Sequence, residues 1–242
     1  MKKKNYSRLS FAPAKNPHPL IPLPLGEREV ELLNIYRLLL KCYGSQHWWP
    51  GDSPFEVMVG AILTQSAAWI NVEKAINNLK AVDALSATTL RKLPTEELAA
   101  LIRPSGYYNA KAKKLKSLVT WLEKHKEDTK ILASIDILKL RKELLKVNGI
   151  GPETADSILL YALDKPVFVI DSYTRCIFAR IGIEPEKDSY DEWQKLFVNN
   201  LPVDPHLFNE YHALIVRLGK EQCRKVQKCE GCCLKEICSG TL

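Results

Sequence analysis

Apolar residues recur at spacings of three and four along most of this chain, the period of a helix with one buried face. From Glu29 the positions Val30, Leu33, Tyr36 and Leu40 mark such a stripe. After a loop over 44–52, a second apolar helix is predicted over 55–65, and a third carries Val72, Ile76 and Leu79 on one face. Pro94 and Thr95 open a short helix through Ile102, with Thr95 as its cap. Ala112, Leu115, Val119 and Leu122 form the clearest stripe, and Lys111, Lys113, Lys114 and Lys116 fall mostly off it. Asp136 suits the cap of a helix through Lys146, which the turn Val147-Asn148-Gly149-Ile150-Gly151 breaks. Pro152 then fits the first position of another helix, where its missing N–H would have no partner anyway. That helix is predicted to end near Asp164. A short extended stretch follows over 166–170, Asp171 starts the next helix, and Ser189 with Glu192 makes a capping box for the one after. A last helix from about His206 runs into a cysteine-rich end. No segment alternates over a useful length, so the predicted fold class is all-α.

Composition narrows the picture. With 242 residues, 46% hydrophobic and 26% charged, the chain can bury a core and is not disordered as a whole. No apolar run approaches the length of a membrane span, and no apolar segment follows the basic start as in a signal peptide. Five prolines among the first 28 residues predict an unstructured tail there. The net charge of +7 suits a polyanionic partner without requiring one. Of seven cysteines, five crowd the last twenty residues; an odd count with no export signal argues for metal ligation over disulfides.

Two motifs carry chemistry. The helix–Val147…Gly151–helix segment places two glycines around an apolar residue, a tight turn with exposed amides at a helix start. Such amides bind phosphate, and Ile150 pins the helices from inside; an ordinary helical turn would need the same glycines. The second motif is Cys223-x5-Cys229-x2-Cys232-x5-Cys238. Four thiolates at this spacing hold either a [4Fe-4S] cluster or zinc, and spacing alone leaves both open. Cys233 is a surplus thiol that could replace Cys232.

The run Gly149-Ile150-Gly151-Pro152-Glu153-Thr154-Ala155-Asp156, then Val169-Ile170-Asp171, then the four-cysteine loop together resemble the endonuclease III family of helix-hairpin-helix DNA glycosylases, over residues 29 to 238. Trp48-Trp49-Pro50, Ala61-Ile62-Leu63-Thr64-Gln65 and the stretch from Arg103 to Lys113 are similar to its 3-methyladenine DNA glycosylase branch. The expected architecture is two helical domains with a cleft between them. One covers 54–164 and ends in the hairpin; the other joins 29–53 to 165–242 and carries the cluster loop. The resemblance implies a base excision repair enzyme, expected to be a cytoplasmic monomer acting on double-stranded DNA with a damaged base.

By that resemblance Asp171 is the catalytic carboxylate that steadies the sugar as the base leaves; a plain helix cap would use the same residue. Gln65 is the wedge that enters the gap left by the flipped nucleotide, and Trp69 stacks on the base. Trp49 is favoured over Trp48 as a second pocket wall, on the argument that two adjacent tryptophans do not both face one side. Glu153 lines the same pocket. The amides of Gly149 and Gly151, with Lys111, Arg224, Lys225 and Lys228, contact the DNA backbone. Cys223, Cys229, Cys232 and Cys238 hold a cluster, which the family favours over zinc, although the first interval is one residue shorter than the family's common spacing. One departure matters most. Bifunctional members carry a nucleophilic lysine where this chain has Glu153, and a carboxylate forms no imine. With Lys165 taken as solvated and no amine expected beside Asp171, the expectation is a monofunctional glycosylase. The alternatives are a bifunctional lyase for oxidised pyrimidines and a non-enzymatic DNA-binding module.

Overall fold

The computed structural model describes residues 27–224, 226–238 and 240, so the predicted tail lies outside the described residues up to residue 26. Its last two positions, Glu27 and Arg28, belong to the first helix. In order, the helices are α1 (Glu27–Tyr43), α2 (Pro54–Leu63), α3 (Trp69–Ala81), α4 (Ala87–Lys92), α5 (Thr95–Leu101), α6 (Tyr108–Glu123), α7 (Thr129–Ser134), α8 (Ile137–Leu144), α9 (Pro152–Ser157), α10 (Ser172–Ile181), α11 (Tyr190–Val198) and α12 (Pro205–Glu221). A π-helical turn, Ile158–Ala162, prolongs α9. Among the described residues no strand forms, and no helix is long and apolar enough to cross a membrane.

The chain divides into two compact units. One takes in His47–Val169 and Val203–Asn209; the other takes in the described residues up to Gln46, Ile170–Pro202 and those from Glu210 on. The tryptophan pair at 48–49 therefore falls with α2, a few residues earlier than the expected boundary at 54.

In the first of these units α2 is the hub. Ser53 caps it, accepting from Glu56 N at 3.2 Å, and every residue from Val57 to Leu63 is buried. Fully buried side chains such as Met58, Ile62 and Leu63 each contribute about 1.5–3 kcal/mol. The α6 stripe is buried as its spacing predicts. Two short helices escape periodicity and are set by their caps: Ser86 accepts from Thr89 N in α4, and Asp128 from Lys130 N in α7. Thr95 is not a cap. Pro94 takes that position, with no side-chain hydrogen bond. Asp136 caps α8 as expected, accepting from Lys139 N at 3.0 Å. Across the turn, Arg141 of α8 grips the fully buried Asp156 of α9 with two bonds, Nε to Oδ1 at 2.7 Å and Nη2 to Oδ2 at 3.0 Å. Such a bidentate pair fixes the angle at which the two helices leave the turn.

The other unit corrects the phase of α1. Its buried residues are Leu32, Ile35 and Leu39, while Val30 is 65% exposed. The inward face is chosen by Tyr211 of α12, which is fully buried and donates to the Leu32 carbonyl at 2.8 Å. Phe178 and Phe197 pack edge to face at 4.8 Å beside it. At α11 the capping box is half made: Ser189 Oγ accepts from Glu192 N, but Ser189 N donates to Lys187 O and the Glu192 carboxylate turns to Lys195.

Candidate functional site

Gln65 lies just beyond the end of α2 and is held from three sides. Its Nε2 donates to the Gly149 carbonyl at 3.1 Å and to Thr154 Oγ1 at 2.9 Å, and Lys114 Nζ donates to its Oε1. The hairpin and the predicted wedge are thus one hydrogen-bonded body. Gly149 is required by this packing. Its φ is +86°, and a Cβ there would stand 2.2 Å from Lys114 Cγ. Gly151 has extended backbone and open space around it, so nothing in the fold demands a glycine. Ile150 is buried between the helices, as expected.

Lys111 is not a phosphate contact. It is buried, and its ammonium donates to the carbonyls of Leu63 at 2.8 Å and Ser105 at 2.7 Å. It satisfies the end of α2 next to Gln65 rather than facing solvent, because α6 carries it inward onto that helix terminus. Burial pulls its pKa down to about 8, with Lys114 adding repulsion. Lys165 is likewise engaged, donating to the carbonyls of Ala133 at 2.9 Å and Ile135 at 2.7 Å at the end of α7.

Trp49 and Trp69 sit together, half-buried, with ring centroids 5.5 Å apart in an edge-to-face arrangement. Trp48 joins them, 5.1 Å from Trp69 and 5.0 Å from Trp49, so the expectation that neighbouring tryptophans diverge is wrong here. The peptide between them is cis. Tyr161 completes the group 5.2 Å from Trp49, which lies close over Gly60 of α2. Glu153 is exposed in the first turn of α9.

In the other unit Asp171 caps α10. Its Oδ1 accepts from Thr174 N at 2.7 Å and Thr174 Oγ1 at 2.9 Å. Among the described residues its Oδ2 makes no hydrogen bond, and it lies 3.8 Å from Nε2 of the buried His212. The cap therefore uses one oxygen and leaves the other for a second task. Burial lowers the His212 pKa, so the imidazole is neutral, and burial also lowers that of Lys220 while the Asp171 charge draws it back up. Tyr173 packs on Gly219, where a Cβ would stand 2.2 Å from its ring. An amine near Asp171 was not expected from the sequence. His212 and Lys220 reach this carboxylate from α12, roughly forty to fifty residues along the chain, and no local pattern announces them.

The far end of α10 holds the cysteine loop. Cys223, Cys229, Cys232 and Cys238 line one small cavity. Among the described residues no three His, Cys, Asp or Glu side chains are drawn close enough to grip a single ion. Cys233 does not line the cavity, and Cys42 and Cys232 are its neighbours; the adjacent Cys223 and burial push the Cys176 thiol up. Arg180, unnoticed in the sequence, ties the loop down. Its Nη1 donates to Cys223 Sγ at 2.9 Å and to the carbonyls of Cys223 and Arg224 at 3.3 Å, while its own carbonyl accepts from Gly240 N at 3.0 Å. The Arg224 guanidinium bonds to the Lys220 carbonyl, and Lys228 is exposed beside the cavity. Lys225 lies outside the described residues.

The profile of the HhH-GPD superfamily, base excision DNA repair proteins, matches residues 59–202. A Methanocaldococcus jannaschii protein provisionally assigned as a DNA repair glycosylase is 48% identical over 217 residues, covering 88% of this chain and 99% of that one. Endonuclease III of Thermotoga maritima is 29% identical over 186 residues, covering 76% and 82%. Among solved structures, the H. pylori 3-methyladenine DNA glycosylase bound to 1,N6-ethenoadenine is 30% identical with a TM-score of 0.66, covering 80% of this chain and 97% of that one.

The buried lysine gives a pH test. Folded Lys111 titrates near 8 and an unfolded lysine near 10.5, so between those values the unfolded chain binds more protons and folding stability rises with pH. In urea unfolding across that range, the wild type gains stability relative to Lys111→Met. Parallel curves would mean that this amine keeps its charge throughout.

Proposed function

Because the chain belongs to the HhH-GPD superfamily of base excision DNA repair proteins, we propose that it is a DNA glycosylase that everts a damaged base, an alkylated purine such as 3-methyladenine, and releases it by hydrolysis. The observation that carries this reading is the divided use of Asp171: one oxygen caps α10 and the other, among the described residues, has no hydrogen bond. A carboxylate fixed in this way can stabilise an oxocarbenium-like sugar without having to reorient. The C1′–N bond breaks with its electron pair passing to the cationic purine, which leaves neutral. Water bonds to C1′, and Asp171 takes its proton. The cap holds Asp171 still, and the neutral His212 sets no competing positive charge against its free oxygen.

The other roles follow from chemistry. Trp49, Trp69 and their neighbours offer indole faces that attract a cationic base by about 0.5–2 kcal/mol. Exposed Glu153 adds a negative charge favourable to the same base. Gln65, braced by the hairpin, fills the vacated stack; both of its Nε2 hydrogens are held by Gly149 and Thr154, so its Oε1 accepts from the orphaned base. The amides of Gly149 and Gly151, with Arg224 and Lys228, meet phosphates of double-stranded DNA. Gly151 leaves its backbone open to a close approach.

Glu153 in place of a nucleophilic lysine favours hydrolysis without strand cleavage. A lyase has one observation in its favour, the desolvated amine of Lys220 near Asp171. The two readings separate in one assay. Duplexes carrying 3-methyladenine, 7-methylguanine or thymine glycol are incubated with the protein, with and without borohydride. Free methylated purine and no covalent adduct are expected. An adduct that disappears in Lys220→Ala would instead support the lyase, and no base released from any duplex would support a binding module.

Four thiols around one cavity, clamped by Arg180, fit a group with four thiolate positions, and we assign Cys223, Cys229, Cys232 and Cys238 to a [4Fe-4S] cluster. Cys233 does not line that cavity and is left out of the set. Bound there, the cluster supplies a cross-link that braces the basic loop, with no part in base release. Protein purified without oxygen should carry iron and sulfide in equal amounts and absorb broadly in the visible range. A colourless protein with zinc would contradict the assignment.

A further inference from the structure

A cavity of about 560 Å³ opens beside the hairpin, away from the tryptophan cluster. It is large enough for a nucleotide-sized group. Its walls come from α6, α8 and the turn itself, and include Trp121, Lys124, Lys146, Val147 and Asn148. The charge on these walls is unevenly committed. Lys116, also in the wall, spends its ammonium on the carbonyls of Leu90, Arg91 and Leu93. Glu143 is engaged by His125 at 3.0 Å, and that imidazole packs against Trp121 at 4.9 Å. Lys124 and Lys146 are exposed and line the opening, and among the described residues no carboxylate pairs with either. The result is a recess with an aromatic floor, two available ammonium groups and one carboxylate already engaged. That is a site for an anion attached to a flat, apolar body.

We propose that this recess is a second nucleotide-binding site, which takes the DNA strand held at the hairpin next to the gripped phosphate, with backbone phosphates on Lys124 and Lys146. Position argues for the strand over a free nucleotide. Val147 and Asn148 are wall residues and also belong to the turn itself, so the recess adjoins the turn directly. A strand whose phosphate is gripped at the turn therefore has its neighbouring phosphates beside the recess. This rests on the hairpin binding DNA as proposed above.

The test is the salt dependence of binding. Anisotropy of a labelled duplex containing a non-cleavable abasic analogue is followed over a KCl series for the wild type, for Lys124→Ala/Lys146→Ala, and for Lys130→Ala/Lys139→Ala, a pair of exposed lysines outside the recess. Each lost phosphate contact flattens the log–log slope by about 1, so the recess variant should be shallower by about 2 with an unchanged thermal midpoint, and the control should match the wild type. Equal flattening in both variants would overturn the site as a local feature. An unchanged slope in the recess variant, with the wild type still binding, would overturn it outright and leave the glycosylase reading standing. A wild type that binds no duplex would remove that reading too. Added nucleoside monophosphate should not weaken duplex binding; if it does so in the wild type and not in the recess variant, the occupant is a free nucleotide and the proposal fails.

Discussion

The amide of Gln65 is the joint on which one unit of this protein depends. It bonds to the carbonyl of Gly149 and the hydroxyl of Thr154, and Lys114 closes the arrangement from α6. Three separate stretches of chain meet at that one side chain. Each is placed by different physics: α2 and α6 by burial, and the turn with the α9 that follows it by the positive φ of Gly149 and the buried Arg141–Asp156 pair. Lys111 holds the adjoining helix end from beneath. A group that enters a base stack must be stiff before it gets there, because ordering it during the reaction would cost free energy at the worst moment. Here the rigidity is built in, and it is shared with the turn proposed to grip the backbone.

The second unit shows the same economy in α10. This ten-residue helix begins at the Asp171 cap and ends near Arg180, which clamps the cysteine loop. Its left-handed C-cap at Gly182, φ +90°, lets the chain leave sharply. One helix therefore fixes both the carboxylate proposed for chemistry and the loop proposed to hold the cluster. Neither can shift along the helix axis without disturbing the other.

Much of this was legible in the sequence, for local reasons. Caps are written in three or four residues, so Asp136, Asp171 and Ser189 could be read directly. The glycine turn and the helical period were equally plain. What failed depended on partners far along the chain. Periodicity placed a helix at α1 but set its buried stripe one residue off; Tyr36 of that stripe still packs on Tyr211 at 5.3 Å, while the most deeply buried positions are Leu32, Ile35 and Leu39. Lys111 and Lys165 look like solvated charge until the carbonyls they cap are known. The three tryptophans converge through packing that no spacing rule contains. Arg180, His212 and Lys220 are ordinary helix residues until α10, α12 and the loop are brought together. The four cysteines that line the cavity were readable as a set, but only the fold separates Cys233, which is not in that lining, from its neighbour Cys232.

The central claim is that the free oxygen of Asp171 stabilises the sugar as the base departs. Single-turnover release of a methylated purine by wild type and Asp171→Asn, with duplex affinity measured on the same samples, addresses it most directly. The amide still accepts the α10 cap bonds but carries no charge. The account predicts a rate lower by ~10²-fold or more with affinity essentially unchanged. Release at the wild-type rate would show that the carboxylate does no more than cap a helix.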